Sequence, residues 1–497
     1  MLKYSNGNAL VIMNIRLEGM NMQESQQKKG IGLTALVAMV VTSSIGAGVF
    51  ALTSDLAIAA SPGPVLLAWV IVGFGILMLS LSLNNLILKR PDLEGIFAYA
   101  EEGFGQYAGF ISGWGYWLSA WLGNVAFATV LMSTLGYFMP VFKTGQNVPS
   151  IIGASVISWG LTYVVNRGVE SAAFVNAIIT ICKLIPLFTF IVVAIILFKA
   201  NLFTAAFWNN VSGNFNGGVG IGEQIKNCMM VMMWVFVGIE GAAMMSSRAE
   251  NKKDAGRATI IGLMCLLLIY VLASVLPYGY MSRSDLANIN QPAMVYIFRD
   301  MVGAWGGAFI SVGLIISIIG SWLSWTMLPA ETMLLMTKRH LLPPIFGREN
   351  KFKAPTFALV ITAVLIQLFL FTLLFTGKAY NFAYSLCTAA IVICYIFVAA
   401  YQIKYAWQHR AEKGSNVQLF YGIFAFAFQC AGIYMAGLQY LLLCFIAYIP
   451  GIFFFAKART DNGAAHWLSK GEWLVTCFIV LGAVLSIVLL ATGKISV

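Results

Sequence analysis

Thr42-Ser43-Ser44-Ile45-Gly46-Ala47-Gly48-Val49-Phe50 lies in the middle of an apolar run spanning 31–60. Small residues and two glycines there weaken a helix where it should be continuous. In lipid every backbone N–H and C=O must be satisfied. A helix is therefore interrupted only where protein or a water-lined cavity takes over its partners. A second run, 224–247, carries Trp234-Val235-Phe236-Val237-Gly238-Ile239-Glu240-Gly241. Taken singly, either set of glycines also reads as a close-packing surface between helices. The two runs are, however, the first and the sixth of the chain, so each opens a group of five. Interrupted segments at matching positions of two halves point to an inverted repeat with a site near the bilayer midplane.

Apolar runs of this kind recur at 63–88, 106–139, 148–165, 170–198, 257–281, 303–336, 356–376, 380–407, 417–437, 439–456 and 472–492. A hydrocarbon core takes about 20 such residues per helix. The break between the eleventh and twelfth runs is weak, so the count is twelve or thirteen. Of the 497 residues, 60% are hydrophobic and only 10% charged, against about 25% charged in soluble domains. A soluble surface cannot be wetted with so few polar groups, and lipid is the better solvent. The expected fold is an all-α membrane protein with 12-13 transmembrane helices, a 5+5 inverted repeat and broken helices 1 and 6. The expected division is a cytoplasmic tail (1–30), a first five-helix repeat (31–200), a second (201–410) and accessory helices (411–497).

The net charge of +11 raises nucleic-acid binding as a class. No basic run is interleaved with aromatics, and most Lys and Arg stand in the short breaks. With the N-terminus cytoplasmic, 22 of the basic residues fall on the inner side and 7 on the outer, leaving Lys183 within the membrane. That asymmetry is the positive-inside pattern. The chain is thus expected in the inner (plasma) membrane as a multi-pass protein, with the lipid bilayer and no nucleic acid as partner and a homodimer allowed.

A half-helix N-terminus at a break offers free N–H groups and positive dipole character, which suits a carboxylate. Ile45, Gly46, Ala47 and Gly48 would act through backbone, with glycine letting a ligand approach closely. Freed carbonyls of Ser44, Trp234 and Val237 would suit an α-ammonium. Glu240 follows directly on the second break. A mid-membrane carboxylate is disfavoured by a few kcal/mol or more, roughly, so its default reading is functional: counter-charge for a cationic substrate, or a proton-trading gate. A partnered structural acid is the plainer alternative.

Lys183 stands about 13 residues from either end of its run, or ~20 Å along a helix, too deep to snorkel. A fixed ammonium there can replace a coupling metal ion between the two halves, or belong to a structural ion pair. Trp325 can present an indole face to a cation, worth ~2 kcal/mol when desolvated, or simply pack. Asn124, a polar group in a span, needs partners. It shares roughly one side of its helix with Ser119, and both can reach a guanidinium or hydrogen-bond neighbouring helices. Asp55 and Glu331, near span ends, read as vestibule or capping groups.

The eight cysteines form no CxxC pair and read as small core residues. The three histidines fall in polar breaks without ligand spacing. Gly217-Gly218-Val219-Gly220-Ile221-Gly222 follows no strand and reads as a loop. A membrane enzyme would need a catalytic cluster in its spans, and none is present, so neither enzymatic activity nor a cofactor is expected. A channel would predict flux without a counter-substrate.

At these residues the sequence resembles the amino acid–polyamine–organocation superfamily, in particular its basic amino acid antiporters. The markers are Ile45-Gly46-Ala47-Gly48-Val49-Phe50, Trp234 to Glu240, Tyr116-Trp117-Leu118-Ser119-Ala120-Trp121-Leu122-Gly123-Asn124 and Leu342-Pro343-Pro344-Ile345-Phe346. The resemblance covers roughly residues 30 to 410. It implies the leucine-transporter-like fold and, by similarity to arginine/agmatine antiporters, a set of roles. Ala47 and Gly48 would meet the carboxylate, and Ser44, Trp234 and Val237 the α-ammonium. Trp325 would stack on the side-chain cation, with Ser119, Ala120 and Asn124 around its end. Tyr116, Glu240 and Tyr395 would gate the cytoplasmic side. Ala47 departs from those antiporters, which have a serine there. Lys183 resembles the lysine that replaces sodium in some relatives. The stretch from Gly95 to Gly105 looks most like arginine/ornithine antiporters and lysine permeases. The implied activity is exchange of small cationic amino acids, most of all arginine for ornithine, with lysine or an amine such as agmatine as alternatives.

Overall fold

The computed structural model describes residues 32–168, 172–209, 219–241, 249–375, 379–464 and 466–492. The first run is two helices, α1 (Leu33–Ser44) and α2 (Gly48–Ala59), bent by 49° at the break. Ile45 leaves the helix at ψ 87°. The Gly46 N–H then turns back to the Ser44 carbonyl at 2.9 Å instead of reaching one turn down.

From Ala60 the chain turns into α3 (Pro62–Lys89). Proline sits in its first turn, where no N–H is needed. The short α4 (Ile96–Phe104) leads into α5 (Gln106–Leu135), followed by α6 (Val148–Asn166), α7 (Ala172–Ile196) and α8 (Ala200–Ala205). The sixth run is helical over α9 (Ile221–Trp234) and then goes into turns through Glu240, with Gly238 at φ 107°. The remainder of that run, from 242, lies outside the described residues.

Next come α10 (Lys252–Val275), α11 (Arg283–Asn288), α12 (Ala293–Val302) and α13 (Ala304–Lys338). The last five are α14 (Thr356–Thr372), α15 (Ala379–Gln408), α16 (Ser415–Ala436), α17 (Leu438–Asp461) and α18 (Lys470–Ala491). Among the described residues nine helices are individually long and apolar enough to cross a bilayer, and the bent α1–α2 pair makes a tenth. The apolar stretches Cys182–Ile196 of α7 and Thr356–Thr372 of α14 are shorter, as is α9, so all thirteen apolar runs carry a helix. At the weak break, Gly437 takes φ 109° between helices of 22 and 24 residues. Each is long enough to cross alone, which favours thirteen over twelve.

Corresponding spans of the two expected repeats pack on one another, as an inverted repeat allows. In span order α2 packs on α9, α3 on α10, α5 on α13 and α6 on α14, each pair being five spans apart. Helix α5 runs through the centre with 94% of an 18-residue apolar stretch buried, whereas the matching stretch of α18 has 22%. Helix α18 is also the most apolar of these helices, because lipid lies outside; α16, equally exposed, is less apolar. This corrects the reading of the cysteines. Cys265, Cys430 and Cys477 are exposed, since an outward face in lipid accepts the same residues as the core. The glycine-rich stretch is corrected too: Ile221 and Gly222 already belong to α9.

Candidate functional site

The break in the first span leaves carbonyls at the C-terminal end of α1, where the dipole is negative. Lys183 of α7 answers them. Its Nζ donates to Thr42 O at 2.9 Å, Ile45 O at 2.7 Å and Ser321 Oγ of α13 at 3.0 Å. An ammonium has three protons, and all three are placed. The side chain is fully buried. One cation thus ties the broken end of α1 to both α7 and α13.

The two breaks are also joined directly. Ser43 Oγ donates to Gly238 O at 2.8 Å. A Cβ at Gly238 would stand 2.8 Å from the Ser43 carbonyl group, and the φ of 107° disfavours any side chain there as well. A Cβ at Gly48 would meet the Trp234 ring at 2.6 Å, and one at Gly46 the Phe127 ring at 2.7 Å. These glycines are needed for close approach.

Between the breaks lies a cavity with about 360 Å³ of atom-free space including its mouth. Of the expected binding residues, Ser44, Gly46, Gly48, Ser119, Trp234, Val237 and Trp325 line it. Ile45, Ala47, Ala120 and Asn124 are fully buried behind it. The Ile45 carbonyl is taken by Lys183. Asn124 Nδ2 donates to the Trp325 carbonyl at 3.0 Å, so it supports the helix that carries the indole. The Ser44 and Trp234 carbonyls each accept one bond, from Gly46 N–H and Val237 N–H. The Ala47 and Gly48 N–H groups make no backbone hydrogen bond at the start of α2. The Ser44 hydroxyl is buried without a hydrogen-bond partner.

Trp325 Nε1 donates to Ser43 O at 3.2 Å, and its ring centroid lies 6.2 Å from that of Tyr116. Ser119 Oγ is 3.3 Å from Cys387 Sγ. Trp234 stacks on Tyr384 at 5.2 Å. Glu240 Oε2 accepts from Tyr395 OH at 2.6 Å and from the Gly238 N–H at 3.1 Å, while Oε1 is buried with no hydrogen-bond partner. Ser43, Gly123, Phe127, Val235 and Cys387 also line the cavity. Ser43, Gly123 and Val235 lay inside quoted motifs, but nothing in the sequence marked their direction.

Towards the face where α1 begins, the ends of α3, α4, α13 and α15 are tied by charge. Arg90 bonds Asp92 and Glu102 at 2.7 Å each and Tyr401 OH at 2.8 Å, and Arg339 bonds Glu101 at 2.9 Å. The hydrogen bonds to Asp92 and Glu102 raise the Arg90 guanidinium further above its ordinary range. In return Arg90 holds the Asp92 carboxyl below the usual carboxylate value. Among the described residues, no group of three or more His, Cys, Asp or Glu is placed to hold a metal.

Fold and site together define a class: a multi-pass membrane protein with a small, mostly apolar cavity held between a broken first span and the turns that follow α9, the build of a carrier. The sequence pattern of the family described as amino acid permease matches residues 31–482. The chain belongs to that family. It is 70% identical over 474 residues to a Latilactobacillus sakei protein named arginine/ornithine antiporter, covering 95% of this chain and 100% of that one. A Pseudomonas aeruginosa arginine/ornithine antiporter is 41% identical over 93% of this chain and 97% of its own. A Chlamydia pneumoniae arginine/agmatine antiporter is 37% identical over 95% and 99%, respectively.

Proposed function

We propose that the chain is an antiporter exchanging arginine for ornithine across a bacterial plasma membrane by alternating access. The observation that carries this is the central cavity, framed by bare peptide groups at two breaks and an indole at its wall. The unpaired Ala47 and Gly48 N–H groups take the substrate carboxylate at the positive end of α2. The Ser44, Trp234 and Val237 carbonyls face the α-ammonium in this reading. Trp325 stacks on the side-chain cation, with Ser119 near its end and Asn124 holding the Trp325 backbone.

Lys183 occupies the place of a coupling cation, which makes sodium unnecessary. Glu240, Tyr395 and Tyr116 close the inner side. The names of relatives at 70% and 41% identity favour ornithine as the counter-substrate. Both substrates carry one net positive charge, so one-for-one exchange is electroneutral and runs on their gradients. The charge asymmetry of the breaks supports a cytoplasmic N-terminus.

The test uses liposomes loaded with ornithine and labelled arginine outside. Uptake should far exceed that into empty vesicles and should be independent of sodium and of membrane potential. Equal uptake into empty vesicles would defeat obligatory exchange. Stronger stimulation by internal lysine or agmatine would replace ornithine in this reading.

A further inference from the structure

A second cavity opens on the face opposite the start of α1, with about 780 Å³ of atom-free space including its mouth. Its wall includes Ala51, Val130, Ser133, Lys143, Gln291 and Asn381. Three helices lead from it to the central cavity along single faces, because steps of three or four residues return to the same side of a helix. On α2, Ala51 lines the outer cavity and Gly48 the central one; on α5, Val130 and Phe127 do the same. On α15, Asn381 is outer and Cys387 central, and Tyr384, stacked on Trp234, stands midway.

Asp55 lies one turn beyond Ala51 on the same face of α2. Its Oδ1 accepts a long bond of 3.3 Å from Gln291 Nε2, the nitrogen that also donates to Ser54 Oγ. The amide is oriented by the Ala293 N–H, which donates to Gln291 Oε1 at 3.1 Å. Asp55 Oδ2 is buried with no hydrogen-bond partner. Among the described residues Asp55 makes no ion pair. A carboxylate away from water requires hydrogen bonds or counter-charge, and here neither is complete. The residue covering it, Gln291, is itself part of the outer cavity wall.

We propose that Asp55 is a transient docking point for the side-chain cation of the substrate on the outer route, with Gln291 as the amide that keeps its place. This rests on the cationic-substrate reading above. As the route opens, Gln291 leaves Oδ1 and the incoming cation bonds both oxygens. A guanidinium does so with a two-pronged fork, whereas an ornithine ammonium is a point donor. Arginine therefore depends on Asp55 more than ornithine does.

The test is Asp55→Asn in ornithine-loaded liposomes, with Asp55→Glu beside it. The external KM for arginine should rise roughly tenfold in Asp55→Asn, less for external ornithine, with Asp55→Glu recovering most of the loss. Calorimetric affinity for arginine at the central site should change less than about twofold in both variants. An unchanged external KM, or a calorimetric change that parallels it, overturns the docking role. Should the wild type itself prefer neutral amino acids, the arginine–ornithine reading falls and this inference with it.

Discussion

In the proposed reading the central cavity is closed on the side where α1 begins, the inner side, by a carboxylate and a phenol, Glu240 and Tyr395, backed by Arg90 with Asp92 and Glu102 and by Arg339 with Glu101. On its outer side it ends at the Phe127 ring, the Trp234–Tyr384 stack and an amide laid over Asp55. Of seven ion pairs between described residues, six stand on the side where α1 begins and Lys226–Glu223 stands on the other. Charged pairs demand particular geometry and are screened by salt. Ring faces and amides tolerate sliding. The inner closure is thus a set of discrete bonds to be broken, and the outer one a surface to be parted.

Four perturbations test this contrast. Lys183→Met strikes what both sides share, leaving the Thr42 and Ile45 carbonyls without their donor. Each bond from a charged donor is worth about 1.5–3 kcal/mol, so exchange should fall more than roughly a hundredfold in ornithine-loaded liposomes. Near-normal exchange would remove the lysine from the shared pivot. Trp325→Leu should weaken arginine binding roughly thirtyfold by calorimetry, matching ~2 kcal/mol of cation–π contact. Unchanged affinity would mean that the indole only packs.

Tyr395→Phe removes the inner donor to Glu240 and should alter the KM for internal ornithine by about tenfold, with a much smaller effect on the external KM for arginine. Equal changes on both sides would dissolve the contrast. The smallest effect is expected from Asp92→Asn. Arg90 holds the Asp92 carboxyl below its ordinary value, so the pair's contribution is complete above the unfolded pKa of about 4 and is lost only as pH falls through the lower folded value. Because Asp92 is largely exposed, its pair is worth little. The variant's exchange rate should stay within roughly threefold of wild type, at a constant ratio between about pH 5 and 7. A ratio that changes over that range would place the titration elsewhere.

Much of this architecture could be read from residue order. The spans, the break at Ser44–Gly48 and the buried cation at Lys183 each announce themselves, because lipid penalises a gap or a charge so strongly. Direction was less legible. Asn124 and Ser119 were expected to share a task, yet Ser119 reaches Cys387 in the cavity wall while Asn124 holds the Trp325 carbonyl behind it. Phe127 carried no signal, since a helix apolar all round has no periodic stripe to orient it. The same lack of contrast hid Cys265, Cys430 and Cys477 on outward faces. Ile45 and Ala47 were expected to act through backbone; their side chains are buried, and the Ile45 carbonyl is taken by Lys183.

Gly437, which parts α16 from α17, has a consequence for the chain's two ends. Thirteen crossings are an odd number, so the two ends fall on opposite sides of the membrane. With the proposed cytoplasmic N-terminus, a protease or antibody added to intact cells should reach a tag placed after Ala491 and miss one placed before Leu33. In that orientation, fusions meant to stay in the cytoplasm belong at the front of this protein.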